Sequence, residues 1–319
     1  MAVARTKQAR RKILKKFPVF DHIEYRSLRL MTSIINFLPI SFSTWITRRI
    51  GDFLFIIMTS RRRVAISNLE IAFGANKSGR EKERIAREAF RNIITCFMEF
   101  FRLPAFMKIA REHVLFEGME RLDNALAKNN GVILVMSHMG PWEYMGFIPY
   151  LKGVPSAILG RPIKNPHLYK WIKDSRKNLK LEYIDKNDGP KAIFSKLKEN
   201  FLVGIVIDQW AGNAGIWVDF FGRPTSTTTV PAEFAKRTSC ALIPAYCVRT
   251  TSGNYKICVE EAMYYDKNDP DWVKNTTVKL NGILERQIRD FPEQWLWLHK
   301  RWKEDNKFTR IVTQDAVKA

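Results

Sequence analysis

Cysteine is scarce in this chain. Its 319 residues hold four: Cys96, Cys240, Cys247 and Cys258. None forms a C-x-x-C pair and none lies at zinc-ligand spacing from a histidine, so neither a disulfide framework nor a structural metal site is expected. They read as reduced thiols of a cytosolic compartment. Glycine-rich signatures are missing too. There is no G-x-G-x-x-G fingerprint, no G-x-x-x-x-G-K-[S/T] phosphate loop and no G-x-S-x-G elbow. Dinucleotide chemistry and an acyl-serine intermediate are therefore disfavoured, and no cofactor or metal is expected. No internal repeat, low-complexity tract or long linker is visible. Acidic residues are few, 32 against 53 Lys and Arg, a formal net charge of +21. Such a surface favours an anionic partner. Nucleic acid is not the expected one, because no helix-turn-helix, zinc finger or aromatic RNA platform is present.

A long apolar run is also lacking. The charge-free stretch 30–47 approaches the roughly 18–20 residues needed to span a bilayer, but Pro39 interrupts it and Asn36 and several hydroxyls dilute it. Basic residues flank both sides: Arg26 and Arg29 before, then Arg48, Arg49 and Arg61-Arg62-Arg63 after. A spanning helix keeps its positive charge mainly on one side. Two basic flanks suit two helices joined at Pro39 that dip into an anionic membrane from the cytoplasm; a buried helix pair is the alternative. The expected organisation is a basic tail over 1–20, a membrane-anchoring helical segment over 21–60, a catalytic body over 61–305 and a tail over 306–319.

The body alternates helices with short apolar strands. Helices are expected over 80–102, 120–128, 165–177, 189–199, 231–237 and 272–291, with one opening near Pro141. Strands are expected over 132–137, 157–160, 181–184, 202–207, 241–248 and 255–259, the last two antiparallel neighbours. The fold class is α/β: a mostly parallel central sheet flanked by helices, preceded by an N-terminal membrane-associated helical segment.

The segment Val132-Ile-Leu-Val-Met-Ser-His138-Met-Gly-Pro-Trp-Glu143 carries the chemistry. The carboxyl end of a buried strand is where α/β folds place ligands. His138 sits there, and Glu143 falls in the first turn after Pro141, able to reach back and fix the ring tautomer. A histidine so held can deprotonate a hydroxyl, a step worth about 10²- to 10⁴-fold in rate. Ser137 adjoins His138, but successive strand residues face opposite ways, so it is not expected to act as nucleophile. Asp208 ends a strand on the same sheet edge and either lines the site or caps the strand. His299 reads as structural or interfacial, and His22, His113 and His167 as solvent-facing. Trp295, Trp297 and Trp302 beside Lys300, Arg301 and Lys303 suit either an interfacial patch or an aromatic core.

His138-Met-Gly-Pro-Trp-Glu143 resembles the His-x4-Asp/Glu motif of the glycerolipid acyltransferase superfamily. More narrowly, the chain is similar to the lipid A biosynthesis lauroyl/myristoyl acyltransferases over about 61–303. The likeness extends through Arg61-Arg-Arg-Val-Ala-Ile-Ser-Asn-Leu-Glu-Ile-Ala-Phe73, Gly160-Arg161-Pro162 with Asn165-Pro166, and Arg176. It continues through Asp208-Gln209, Phe220-Phe-Gly-Arg-Pro-Thr225 and Pro292-Glu-Gln-Trp-Leu-Trp-Leu-His-Lys-Arg-Trp302. Val230-Pro231 departs from the family's Gly-Pro. The Glu-Gly-Thr-Arg motif of the glycerolipid branch is absent, which argues against a glycerol-3-phosphate acceptor. The resemblance implies acyl transfer from acyl carrier protein to a hydroxyl of a phosphorylated glycolipid, at the cytoplasmic face of the cell inner membrane. In it, His138 is the base and Glu143 its partner. Arg161 and Arg176 hold acceptor phosphate or the developing oxyanion, and Asp208 lines the site. The alternative acceptor is a phosphatidylinositol mannoside, with acyl-coenzyme A as donor.

Overall fold

A computed structural model describes residues 18–160, 163–185 and 188–303. The apolar pentapeptide Val132–Met136 forms β2, buried at every position. It is the middle strand of a seven-stranded sheet in the order β1-β9-β8-β2-β5-β3-β4. Here β1 is Val114–Glu117, β3 Ser156–Gly160, β4 Leu181–Asp185, β5 Leu202–Val206, β8 Ala241–Arg249 and β9 Tyr255–Val259. β2 runs parallel to β5 and β8, and β3 parallel to β5 and β4. β9 pairs antiparallel with β8, as expected, and β1 lies parallel to β9 at the edge.

Alternate residues of β2 feed two cores. Val132, Leu134 and Met136 pack with Phe100, Phe101, Tyr144 and Phe147 on one face. Ile133 and Val135 pack with Ile193, Leu197, Phe234 and Leu280 on the other. A sheet buried on both faces explains why its strands read as apolar runs.

The helices are α1 (Pro18–Phe37), α2 (Ile40–Ile57), α3 (Thr59–Phe73), α4 (Gly79–Phe106), the single turn α5 (Ala110–His113), α6 (Met119–Leu126), α7 (Phe147–Lys152), α8 (Pro166–Lys177), α9 (Gly189–Lys198), α10 (Val230–Thr238) and α11 (Trp272–Asp290). α4 starts where the sequence signals it. Ser78 accepts from the Glu81 backbone N–H, and Glu81 accepts from the Ser78 backbone N–H, a capping box. It runs past the expected end at 102 and through Pro104. Only two helical residues follow that proline, so the hydrogen bond it forfeits belongs to the fraying last turn.

α1 and α2 meet at Leu38-Pro39, the expected joint. Both dock on α4. Asn36 donates to the Phe101 carbonyl at 3.0 Å and Arg102 to the Leu38 carbonyl at 2.8 Å. Asp52 on α2 accepts from Arg91 at 2.7 and 2.9 Å and from Arg87 at 2.6 Å. Among the described residues, no helix is long and apolar enough to cross a membrane.

Two features went unexpected. β1 is only four residues long. In the hairpin of β6 (Ile216–Phe220) and β7 (Arg223–Thr227) the second strand is polar in sequence, yet Thr225, Ser226 and Thr227 are fully buried. Their hydroxyls are satisfied instead: Thr225 donates to the Arg301 carbonyl at 2.7 Å and Ser226 to the Gly212 carbonyl at 2.6 Å, while Arg301 donates to Thr227 Oγ1 at 2.6 Å.

Candidate active site

β2 and β5 are parallel neighbours paired Met136 to Val206. Two residues past each strand end stand His138 and Asp208, delivered to the same sheet edge by the register. Asp208 Oδ1 lies 2.8 Å from His138 Nδ1, and Oδ2 accepts the His138 backbone N–H at 2.8 Å. Trp295 donates its indole N–H to Oδ2 at 2.9 Å. The carboxylate therefore holds His138 at both ring and backbone and selects the Nδ1–H tautomer, leaving Nε2 as the basic nitrogen. Asp208 is buried, whereas the His138 side chain keeps 22% exposure, so the ring reaches solvent and its partner does not.

Burial disfavours charge on both groups, and the pair overcomes it. Burial pulls the His138 pKa down, but the Asp208 charge and hydrogen bond, with a smaller contribution from Glu143, carry it above the ordinary histidine value. Burial pushes Asp208 up, yet the His138 charge, its two hydrogen bonds and the Trp295 donor hold it below the ordinary carboxylate value.

Glu143 does not take the position expected of it. The residues after Pro141 form a short 3-10 turn, Trp142–Gly146, before α7. That turn carries the Glu143 carboxylate to Arg176 on α8, which donates to it at 2.6 and 3.2 Å. The expected Glu143 grip on His138 is thus replaced by Asp208. The reason is topological: parallel register sets position 208 beside 138, whereas a 3-10 turn rotates a side chain five residues on toward α8. Arg176 is drawn in by Glu143, which outweighs the burial that disfavours its charge. Arg161 lies outside the described residues. Of the five site residues expected from sequence, the structure gathers His138 with Asp208 and Glu143 with Arg176.

The turn between the two pairs depends on Gly140. Its φ is +48°, and a Cβ there would stand 2.4 Å from the Cys247 carbonyl oxygen, so no other residue fits. Trp142 stands edge-on to the His138 ring, centroids 5.2 Å apart. Ser137 turns to the opposite sheet face, buried, as alternation requires. Below Trp142 and Glu143, a narrow apolar slot runs over the sheet, lined by Met136, Met145, Ile158, Leu181 and Gly204 among others.

The structure also places the other residues singled out in the sequence. Trp295 and Trp297 are core, 1% and 0% exposed, which decides against the interfacial patch for these two. Nothing in the sequence spacing signals that Trp295 reaches Asp208. His299 accepts the Trp210 backbone N–H at Nε2, and burial lowers its pKa. His22 and His167 lie in tilted contact with ring centroids 4.0 Å apart, and His113 pairs with Asn254. All four cysteines are buried and free.

The profile of the bacterial lipid A biosynthesis acyltransferases matches residues 15–304. The chain belongs to that family. A phosphatidylinositol mannoside acyltransferase of Mycobacterium tuberculosis is 28% identical over 214 residues, 65% of this chain and 66% of the relative, so the chain spans just under two thirds of that protein. The lipid A biosynthesis palmitoleoyltransferase of Escherichia coli is 26% identical over 83% of this chain and 86% of its own length. The lipid A biosynthesis lauroyltransferase of the same organism is 25% identical over 80% and 83%. The family and these relatives alike are acyltransferases.

Proposed function

We propose that this protein moves a fatty acyl chain from an acyl thioester to a hydroxyl of a phosphorylated glycolipid, with acyl carrier protein as donor and a lipid A precursor as acceptor. The observation that carries the reading is the His138–Asp208 pair at the carboxyl edge of β2 and β5, which leaves Nε2 as the basic nitrogen. His138 Nε2 takes the proton of the acceptor hydroxyl as its oxygen attacks the thioester carbonyl. The C–S bond then breaks, and the imidazolium returns the proton to the departing thiolate. Asp208 orients the ring and stabilises its cationic form, as the buried acid of a catalytic triad does. Ser137 faces away, which supports direct attack by the acceptor. The apolar slot receives the acyl chain. Arg176, with Arg161, supplies positive charge for the acceptor phosphate or the oxyanion.

The outer faces of α1 and α2 support association with the cytoplasmic face of an inner membrane. Phe20, Ile34, Phe37, Trp45, Phe53 and Ile56 are all about half exposed or more, and Arg26, Arg29, Arg48 and Arg49 flank them. The mycobacterial relative supports a second reading with a phosphatidylinositol mannoside as acceptor; the donor proposed for that reading is acyl-coenzyme A.

The deciding assay incubates purified protein with each donor and each acceptor in all four pairings and reads products by mass spectrometry. The expected result is a singly acylated lipid A precursor from the acyl carrier protein thioester, abolished in His138→Ala. Transfer that survives His138→Ala would falsify the assignment of the base.

A further inference from the structure

We propose that Gln294 and Trp295 form a brace that sets both halves of the His138–Asp208 pair, with Trp295 a positioning residue that tunes the basicity of His138 through Asp208. The inference rests on reading His138 as the base.

These two residues close the 3-10 turn Pro292–Gln294 after α11 and lie across the site like a short extra strand. The Gln294 carbonyl accepts the Gly140 N–H at 2.8 Å, and Met139 pairs with Trp295 in an antiparallel bridge. The two residues that follow His138 are therefore held in backbone register. The Gln294 side chain accepts from the Arg249 N–H and donates to the Arg249 carbonyl, each at 2.9 Å, fixing the brace to the end of β8. Asn92 on α4 donates to the same Gln294 carbonyl at 2.8 Å. One residue on, the Trp295 indole N–H reaches Asp208 Oδ2. A single dipeptide thus grips the turn that bears the base and the acid that orients it.

The indole is 1% exposed, its ring packed edge-on against Trp297 and Phe220, so it cannot swing away from Asp208. A donor in that position withdraws charge from the carboxylate. Without it, Asp208 keeps its two bonds from His138 but carries a less compensated charge, which favours the imidazolium. Trp295 therefore holds the His138 pKa lower than Asp208 alone would set it, keeping more of the base neutral at a given pH.

Trp295→Phe retains an aromatic ring and deletes the N–H. The expected result is a fall in kcat of about tenfold, the equivalent of one hydrogen bond to a charged group. KM for donor and acceptor stays within about twofold, because the indole touches neither. The acidic limb of the pH–rate profile moves up by about half a unit or more. The His138 ring, followed by NMR in the variant, titrates at the same raised value. An unchanged His138 titration in a folded variant overturns the proposal. In wild-type protein the Trp295 indole N–H resonance should shift with the same midpoint as the His138 ring. A resonance indifferent to that transition overturns the brace even where the variant does not fold. His138→Ala that retains transfer, beside a Trp295→Phe that still moves the His138 titration, would reject the base assignment and leave the brace standing.

Discussion

At the scale of single residues, two carboxylates act on one imidazole and geometry separates their tasks. Asp208 bonds the ring, while Glu143 is spent on Arg176 and reaches His138 only through its charge. Asp208→Asn should lower the rate by about 10²- to 10⁴-fold. Because the Asp208 charge is what raises the His138 pKa, its removal should also move the acidic limb of the pH–rate profile to lower pH. Glu143→Gln should move that limb the same way by less. A pH–rate series on the three proteins checks both signs; a limb that rises in Asp208→Asn contradicts the assignment. His138 and Glu143 could be marked as chemistry-bearing from their place after an apolar strand. Which acid serves the base could not, because residues 70 apart in sequence meet only through strand pairing.

At the scale of elements, the seam between α2 and α4 brings two helix backbones close together. A Cβ on Gly51 would lie 2.6 Å from the Arg91 Cα, so the helix backbones leave no room for a methyl group. Gly51→Ala should destabilise the fold by about 1–3 kcal/mol, as overpacking does, measured by chemical denaturation. Beside it, hydrogen bonds from Arg91 and Arg87 outweigh burial and hold Asp52 at about 2. An unfolded aspartate titrates near about 3.9. The ion-pair contribution is therefore complete above that pH and is lost as pH falls toward 2. Asp52→Asn should flatten the stability profile in that window alone. On the sheet, a Cβ on Gly204 would meet the Met136 Cε at 2.8 Å in the apolar slot. Met136 is flexible, so Gly204→Ala should fold but shorten the slot. A series of thioester donors should show transfer of the longest accepted chain reduced by about tenfold or more relative to shorter ones. An unchanged chain profile would show that the acyl group lies elsewhere.

At the scale of the whole molecule, the +21 charge and the exposed apolar residues of α1 and α2 suit the one partner proposed above, an anionic membrane surface. Each exposed aromatic gains roughly 1.5–3 kcal/mol on burial, and each nearby Lys or Arg adds on the order of 1 kcal/mol at an anionic surface. Replacing Phe20, Trp45 and Phe53 together by serine should weaken binding to anionic vesicles at least about tenfold. Raised salt should weaken the wild type as well, through screening. Vesicle flotation tests both, and binding that ignores the triple replacement would place the lipid contact on another face.

The sequence by itself determined the α/β class, six of the nine described strands and most of the helices, the joint at Pro39 and the residue types of the site. These are written locally, in apolar periodicity, capping pairs and proline, within windows of a few residues. Only the tertiary structure decided that Asp208 rather than Glu143 grips His138, that Trp295 lies in the core against that acid, and that the polar strand β7 is buried. Each depends on groups far apart in the chain. Parallel pairing brings 208 to 138, the turn after α11 brings 295 to 208, and Arg301 with the Gly212 carbonyl satisfies the buried hydroxyls of 225–227. Hydrogen bonds of that range leave no period in a sequence.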